Sequence, residues 1–232
     1  MRREPDTGKV VFEWFALIQA LILVAIICEK QEGKVLNILV DGQTLQSPEI
    51  NRGIGIYFKN VLNNMIKHSF EHNWYLAVGN KACLDALDPW VVQRVIPIEN
   101  ELFSPSCDYS RTSAYTSELQ KIVSEKGIDV FWCPNPLMVN VLFAEGELGC
   151  RMYATLYDLI PAIMPVKEWR STVRDEYNRR LEDLKTNRFE LLCISKATKK
   201  DFIEHLCQRS GLHVTPLAAD SRKFYQKCER SG

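Results

Sequence analysis

Short apolar runs alternate with longer amphipathic segments from residue 34 to about residue 225. The apolar runs predict strands at residues 35–40, 74–78, 91–96, 129–133, 151–156, 190–194 and 212–215. The amphipathic segments predict helices at residues 54–69, 112–126, 168–186 and 196–208, with Gly127 ending the second and Gly211 the last. This alternation predicts an α/β domain at 34–225, followed by a tail at 226–232, with a Rossmann-like, doubly wound and mostly parallel sheet.

An apolar run at residues 10–28 precedes this domain and is interrupted only by Glu13 and Gln19. It is long enough to span a bilayer as a helix, and its aliphatic residues outweigh one carboxylate near the end. We therefore expect residues 1–33 to form an extension with an apolar helix. The helix is a membrane anchor in one interpretation and a buried or docked helix in the other.

Composition narrows the classes of function. The 232 residues are 46% hydrophobic, and 29 Lys and Arg balance 29 Asp and Glu, so no net charge attracts nucleic acid. The eight cysteines are scattered and form no C-x-x-C pair, which favours reduced thiols and a cytoplasmic protein, with membrane association at the cytoplasmic face as a variant. We predict no cofactor and no metal.

Polar residues follow two of the predicted strands. Tyr157 and Asp158 come directly after strand 151–156 and before the helix-stopping Pro161, and Asp41 closes the first strand. Parallel strands are buried on both faces and end at a crevice where ligands bind. These three polar side chains are therefore candidate site residues.

A glycine loop opens the first predicted helix. Residues 52–57 read RGIGIY, and we interpret Arg52, Gly53, Gly55 and Tyr57 as substrate-binding candidates. Glycines let a ligand approach the free N–H groups and the positive end of the helix dipole, which suits a phosphate. A tight strand-to-helix turn without a ligand is the alternative. Phe58 stands where a dinucleotide fingerprint needs its third glycine, which disfavours a nicotinamide cofactor.

Ser195 follows the apolar run at 190–194 and begins the last predicted helix. Its hydroxyl can accept a hydrogen bond from the backbone N–H two or three residues later. The residue is therefore either a helix N-cap alone or a further substrate-binding candidate.

Three segments, in the same order, resemble elements of family 4 glycosyltransferases, which are retaining enzymes of the GT-B fold. They are RGIGIY at 52–57, YATLYDLIP at 153–161 and ISKATKKD at 194–201. The resemblance covers residues 35 to about 225 and implies the amino-terminal, acceptor-side half of such an enzyme. Two positions depart from the family pattern: Ile56 replaces an arginine, and Tyr157 stands where many members have histidine.

The resemblance also implies roles and partners. Asp158 and Tyr157 would be catalytic, although a phenol is a poor base at neutral pH. The donor would be a nucleotide sugar, the acceptor a sugar or a lipid-linked sugar, and no metal would be needed. The family's second domain, which holds the donor, does not follow, so we expect a truncated or split transferase that requires a partner subunit and does not transfer sugar alone.

Two alternatives remain open. The chain could be a non-catalytic acceptor-binding or membrane-tethered module. Alternatively, His68, Glu71 and His72 match H-x-x-E-H, which on a helix binds zinc in a small hydrolase.

Overall fold

The structure is a computed structural model that describes residues 34–164, 167 and 169–216. It is an α/β fold with one seven-stranded sheet in the order β3-β2-β1-β4-β5-β6-β7, and every pairing is parallel. The strands are β1 Asn37–Asp41, β2 Asn73–Val78, β3 Val95–Glu99, β4 Val130–Cys133, β5 Arg151–Leu156, β6 Phe189–Cys193 and β7 Leu212–Val214. The Rossmann-like parallel sheet predicted from the sequence is confirmed.

Helices connect the strands. They are α1 Gly53–His68, α2 Pro89–Val92, α3 Thr112–Lys126, α4 Ile160–Ile163, α5 Ser171–Lys185 and α6 Lys196–His205. Two 3₁₀ turns, Gln43–Gln46 and Pro48–Asn51, lead from β1 into α1. Because all strands run the same way, the segments after them share one edge of the sheet, here called the carboxyl edge, and the segments before them share the amino edge.

Two hydrophobic clusters cover the two faces of the sheet. Along β1, Leu39 points into one cluster, whereas Ile38 and Val40 point into the other. Strands that are buried on both faces have apolar residues at consecutive positions, which is why they read as continuous apolar runs in the sequence. The two clusters fix the sheet between its helices and hold the strand ends in place.

The predicted strand at 91–96 is wrong in position. Pro89–Val92 forms a helical turn that Asp88 caps by accepting a hydrogen bond from Trp90 N at 2.9 Å, and the strand follows at Val95–Glu99. Proline at the first position and aspartate before it favour a helix start, and this local signal outweighs the apolar run.

The two predicted helix-ending glycines behave differently. Gly127 caps α3 in the left-handed region at φ 58°, as predicted. α6 ends at His205, and Gly211 instead takes φ 68° in the turn before β7.

The predicted apolar helix at 10–28 and the tail at 226–232 lie outside the described residues. Within 34–164, 167 and 169–216, no helix has both the length and the apolarity needed to cross a membrane.

Candidate functional site

A pocket of about 210 Å³ opens at the carboxyl edge. Its walls come from Ile54 at the start of α1, from residues 135–138 after β4 and from residues 155–158 at the end of β5, with Pro161 and Tyr177 completing it. The strand order reverses between β1 and β4, and ligands of open α/β sheets bind at such a switch point. The glycine loop and Asp158 therefore lie at one edge beside one pocket, as the sequence predicted.

The end of β5 contributes Tyr157 and Asp158. The hydroxyl of Tyr157 is buried and has no hydrogen-bond partner among the described residues, while its ring meets Tyr57 edge-on with centroids 5.1 Å apart. Burial raises the pKa of Tyr157 well above its usual value, so the hydroxyl stays protonated. Asp158 is exposed, and its Oδ1 accepts a hydrogen bond from Ile160 N at 3.0 Å.

Asn135 is a site residue that the sequence reasoning missed. It is 4% exposed, and its amide donates to Thr44 Oγ1, which leaves Oδ1 buried without a partner in the described part of the chain. Prolines on both sides force a loop directly after β4, and this was the available signal. An unbonded amide oxygen in a pocket wall is an acceptor for a ligand donor.

The start of α1 lies beside the pocket. No side chain caps this helix, and the first N–H to bond within it is that of Ile56, which donates to Arg52 O at 2.9 Å. The N–H groups of the first turn are thus available to an anion. Arg52 itself is exposed and pairs with Glu49 at 3.3 Å.

The two glycines of this loop have different surroundings. A Cβ on Gly53 would meet nothing within 4 Å, so the backbone there is open to a ligand. A Cβ on Gly55 would lie 2.3 Å from Glu49 O and 2.4 Å from Ile50 Cα. Gly55 therefore serves the close packing of α1 on its own preceding turn. Tyr57 is buried against Tyr157 and supports the pocket wall.

Asp41 is buried in a hydrogen-bond network and does not line the pocket. Its carboxylate accepts from Gln43 N at 2.9 Å, Gln43 Nε2 at 3.0 Å and Tyr115 OH at 3.1 Å. Burial raises the pKa of Asp41 to about 6, against the lowering effect of these hydrogen bonds. Gln43 also bonds both backbone groups of Leu142, so the network ties the end of β1 to the chain after β4.

Arg180 of α5 fixes the loop that carries Asn135. It is fully buried and donates to Pro136 O at 3.2 Å, Met138 O at 2.8 Å and Val141 O at 2.7 Å, as well as to Glu176 Oε1 at 2.7 Å. In the sequence, Arg180 stands among alternating charged residues that do not distinguish it. Only the tertiary structure shows that the loop needs its donors.

Ser195 is the N-cap of α6, since its Oγ accepts from Thr198 N at 2.9 Å. Thr198 Oγ1 in turn donates to the carbonyl of Tyr157 at 2.9 Å. The interpretation of Ser195 as a helix cap is therefore confirmed. Ser195 contacts Thr198, and Thr198 in turn holds the carbonyl of Tyr157, which follows β5.

The helix needed for the zinc motif is absent. α1 ends at His68, and Glu71 and His72 lie in the turn that leads into β2. The two histidines are therefore not one turn apart on a helix. Within the described ranges, the one group of three close metal-ligand side chains is Asp201, Glu204 and His205 on the surface of α6.

No protein-family model, curated protein or solved structure matches this chain. Function is therefore inferred from the residues of the pocket itself.

Proposed function

We propose that this chain is the acceptor-side half of a retaining glycosyltransferase and binds a sugar in the carboxyl-edge pocket. The observation that carries the proposal is a pair of buried, unbonded oxygens, Asn135 Oδ1 and Tyr157 Oη, on residues of one pocket. A buried polar atom without a partner costs about 1–3 kcal/mol. Both oxygens are closed off from solvent, so a ligand recovers this free energy by shifting the pocket wall until it bonds them.

The chemistry of the wall suits a neutral polyhydroxyl ligand. Asn135 Oδ1 can accept a hydrogen bond from a sugar hydroxyl, and the phenol of Tyr157 can donate one. Ile54, Leu137 and Met138 supply apolar surface for the ring carbons, and no lysine or arginine lines this pocket within the described residues. An acceptor sugar fits this combination better than a phosphate does.

The first turn of α1 supplies the second half of the proposal. Its free N–H groups and open Gly53 suit the diphosphate of a nucleotide sugar at the rim of the pocket. Asp158 is exposed beside the acceptor pocket, where its carboxylate can accept the proton of the attacking hydroxyl. Tyr157 orients the acceptor and does not act as a base, because its raised pKa keeps it neutral.

Donor binding by this half alone is weak in this scheme. A few charge-assisted N–H bonds, each worth about 1.5–3 kcal/mol, must first offset an association cost of about 4 kcal/mol or more. The expected dissociation constant for a nucleotide sugar is therefore about 1 mM, or roughly −4 kcal/mol. A second domain that closes over the diphosphate is required for transfer.

Isothermal titration of the purified chain against panels of free sugars and nucleotide sugars tests the proposal. We expect at least one free sugar to bind, and we expect Asn135→Ala to lower its affinity. Nucleotide sugars should bind only with dissociation constants near millimolar. Glu101→Ala, a change in a surface turn away from the pocket, is the matched control. Micromolar nucleotide-sugar binding, or transfer by the chain alone, would show that it is a complete enzyme.

A second candidate is a sugar-binding module without catalysis. It is favoured because Asp158 already accepts a hydrogen bond from Ile160 N, which occupies one oxygen of the proposed base. Adding a donor-binding domain of a family 4 enzyme in trans separates the two functions. Turnover that is lost in Asp158→Asn supports the transferase, whereas sugar binding without turnover supports the module.

A further inference from the structure

The polypeptide reaches the sheet at the amino edge, and its position there is fixed. Lys34 forms an ion pair with Asp129, which also accepts a hydrogen bond from Asn37 N at 2.9 Å. The side chain of Asn37 donates to Lys126 O at 2.9 Å and to Gly127 O at 3.0 Å. These contacts hold the start of β1 between α3 and β4.

Exposed apolar side chains lie along the same edge. Val35 is 54% exposed before β1, Phe70 is 65% exposed before β2, and Trp90 is 37% exposed before β3. The three strands are direct neighbours in the sheet, and Asn73 N bonds Leu36 O at 2.9 Å where β1 and β2 begin. The three side chains therefore belong to one stretch of the amino edge, here called the amino-edge patch.

The sequence indicates what covers this patch. The apolar run at 10–28 ends six residue steps before Lys34, and a fully extended chain covers at most about 20 Å in that distance. We propose that the amino-edge patch lies against the surface of a lipid bilayer that holds residues 10–28. This proposal is independent of the proposed function.

The charges near the patch favour an apolar contact over an electrostatic one. Lys34 is paired with Asp129, and Lys67 is paired with Asp88 at 2.9 Å. Arg94 stacks over the ring of Trp90 at 3.5 Å and covers part of that ring with its own aliphatic stem. Since these three cations are already engaged and the exposed Lys126 is the remaining lysine beside Asn37, we expect apolar contact to outweigh attraction to anionic lipid.

This orientation directs the pocket away from the bilayer. The pocket lies at the carboxyl edge, and a five-residue strand such as β1 separates the two edges by about 17 Å. If the proposed function holds as well, the acceptor reaches the pocket from the aqueous phase and is not a sugar held at the lipid headgroups.

Exposed apolar side chains also lie at the carboxyl edge, and they predict the opposite orientation of the domain on a bilayer. Ile160 and Met164 are 59% and 71% exposed close to the pocket, and Ile56 is 41% exposed on α1. A domain that used these residues to meet a bilayer would present its pocket to the lipid. The two orientations differ in which exposed residues become covered.

Hydrogen–deuterium exchange of the full chain in phosphatidylcholine vesicles tests the proposal. We expect backbone amides at 34–36 and 67–72 to exchange about fivefold or more slowly than in lipid-free buffer, and those at 158–164 to be unchanged. Phe70→Ser should remove most of this protection. Ile160→Ser, which changes a similarly exposed residue at the opposite edge, should leave it intact.

Three results would overturn the proposal. The first is protection of 158–164 by vesicles, which would mean that the carboxyl edge meets the lipid. The second is protection of the amino edge in lipid-free buffer, which would mean that another part of the chain or a second copy covers the patch. The third is that vesicles leave the exchange rates at both edges unchanged.

Discussion

Asp41 ends one buried parallel strand and Asp158 follows another at the same edge of the sheet, yet their surroundings are opposite. Asp41 is 3% exposed and accepts three hydrogen bonds from Gln43 and Tyr115. Asp158 is exposed and accepts a hydrogen bond from Ile160 N, two residues further along the chain. The end of β1 is thus closed by the protein's own groups, whereas the end of β5 remains open to a ligand.

The difference shows how the pocket is supported. The closed end of β1 holds the chain near Leu142 through Gln43, and Arg180 holds residues 136–141 from the other side. Together they fix the loop that presents Asn135. A carboxylate at a strand end is therefore a candidate site residue in one place and a structural support in another.

The largest expected effect comes from removing the support. Arg180→Met should destabilise the protein by about 3–5 kcal/mol, because it leaves three backbone carbonyls and part of Glu176 without buried donors. Urea unfolding followed by circular dichroism measures the change. Lys185→Met on the same helix is the control: its ion-pair partner Glu182 is 69% exposed, so a loss below about 1 kcal/mol is expected. Equal losses in both variants would contradict the role given to Arg180.

The next effect distinguishes the two aspartates by pH. The folded-state pKa of Asp41 is about 6 against an ordinary value of 3.8, so the folded protein holds the proton more tightly than the unfolded chain does. Its stabilising contribution is complete below pH 3.8 and is lost as pH rises through about 6. The loss amounts to about 3 kcal/mol for this group.

Asp41→Asn removes this titration. Relative to wild type, the free energy of unfolding of the variant should rise by about 2.4 kcal/mol between pH 4 and pH 7, as measured by urea unfolding at each pH. Asp158→Asn, at the exposed strand end, should follow wild type within about 0.5 kcal/mol over the same range. If the pH profile of Asp41→Asn ran parallel to that of wild type, the distinction between the two strand ends would be lost.

The glycine pair sharpens the comparison at the start of α1. Gly55→Ala should cost about 1–3 kcal/mol, because its Cβ would overlap the backbone of Glu49 and Ile50. Gly53→Ala meets nothing and should leave stability unchanged or slightly raised. Thermal unfolding measures both. If Gly53→Ala nevertheless weakens nucleotide-sugar binding, the open backbone at Gly53 contacts the ligand.

The smallest effect on stability is expected in the pocket itself. Tyr157→Phe removes a buried hydroxyl that has no partner in the described structure, so stability should change by less than about 1 kcal/mol. Binding of the sugar found by titration should weaken by about tenfold, since one hydrogen bond to the ligand is lost. A large loss of stability instead would mean that the hydroxyl supports the fold.

The sequence predicted the elements of the site better than the roles of its residues. It placed the glycine loop and the segment at 153–161 at one edge, because parallel strands must end together. It offered a helix cap as one of two interpretations of Ser195, the other being a substrate-binding residue. It missed Asn135 and Arg180, because a loop residue and a helix arginine become distinctive only through the groups that surround them.

The sequence by itself determined that the chain builds a parallel α/β sheet, because burial on both faces demands continuous apolar runs separated by helices. It could not determine the strand order or the fate of each polar strand end. Those features depend on hydrogen bonds between segments far apart in the chain, such as Gln43 with Leu142. Only the tertiary structure decided that Asp41 is enclosed and Asp158 is open.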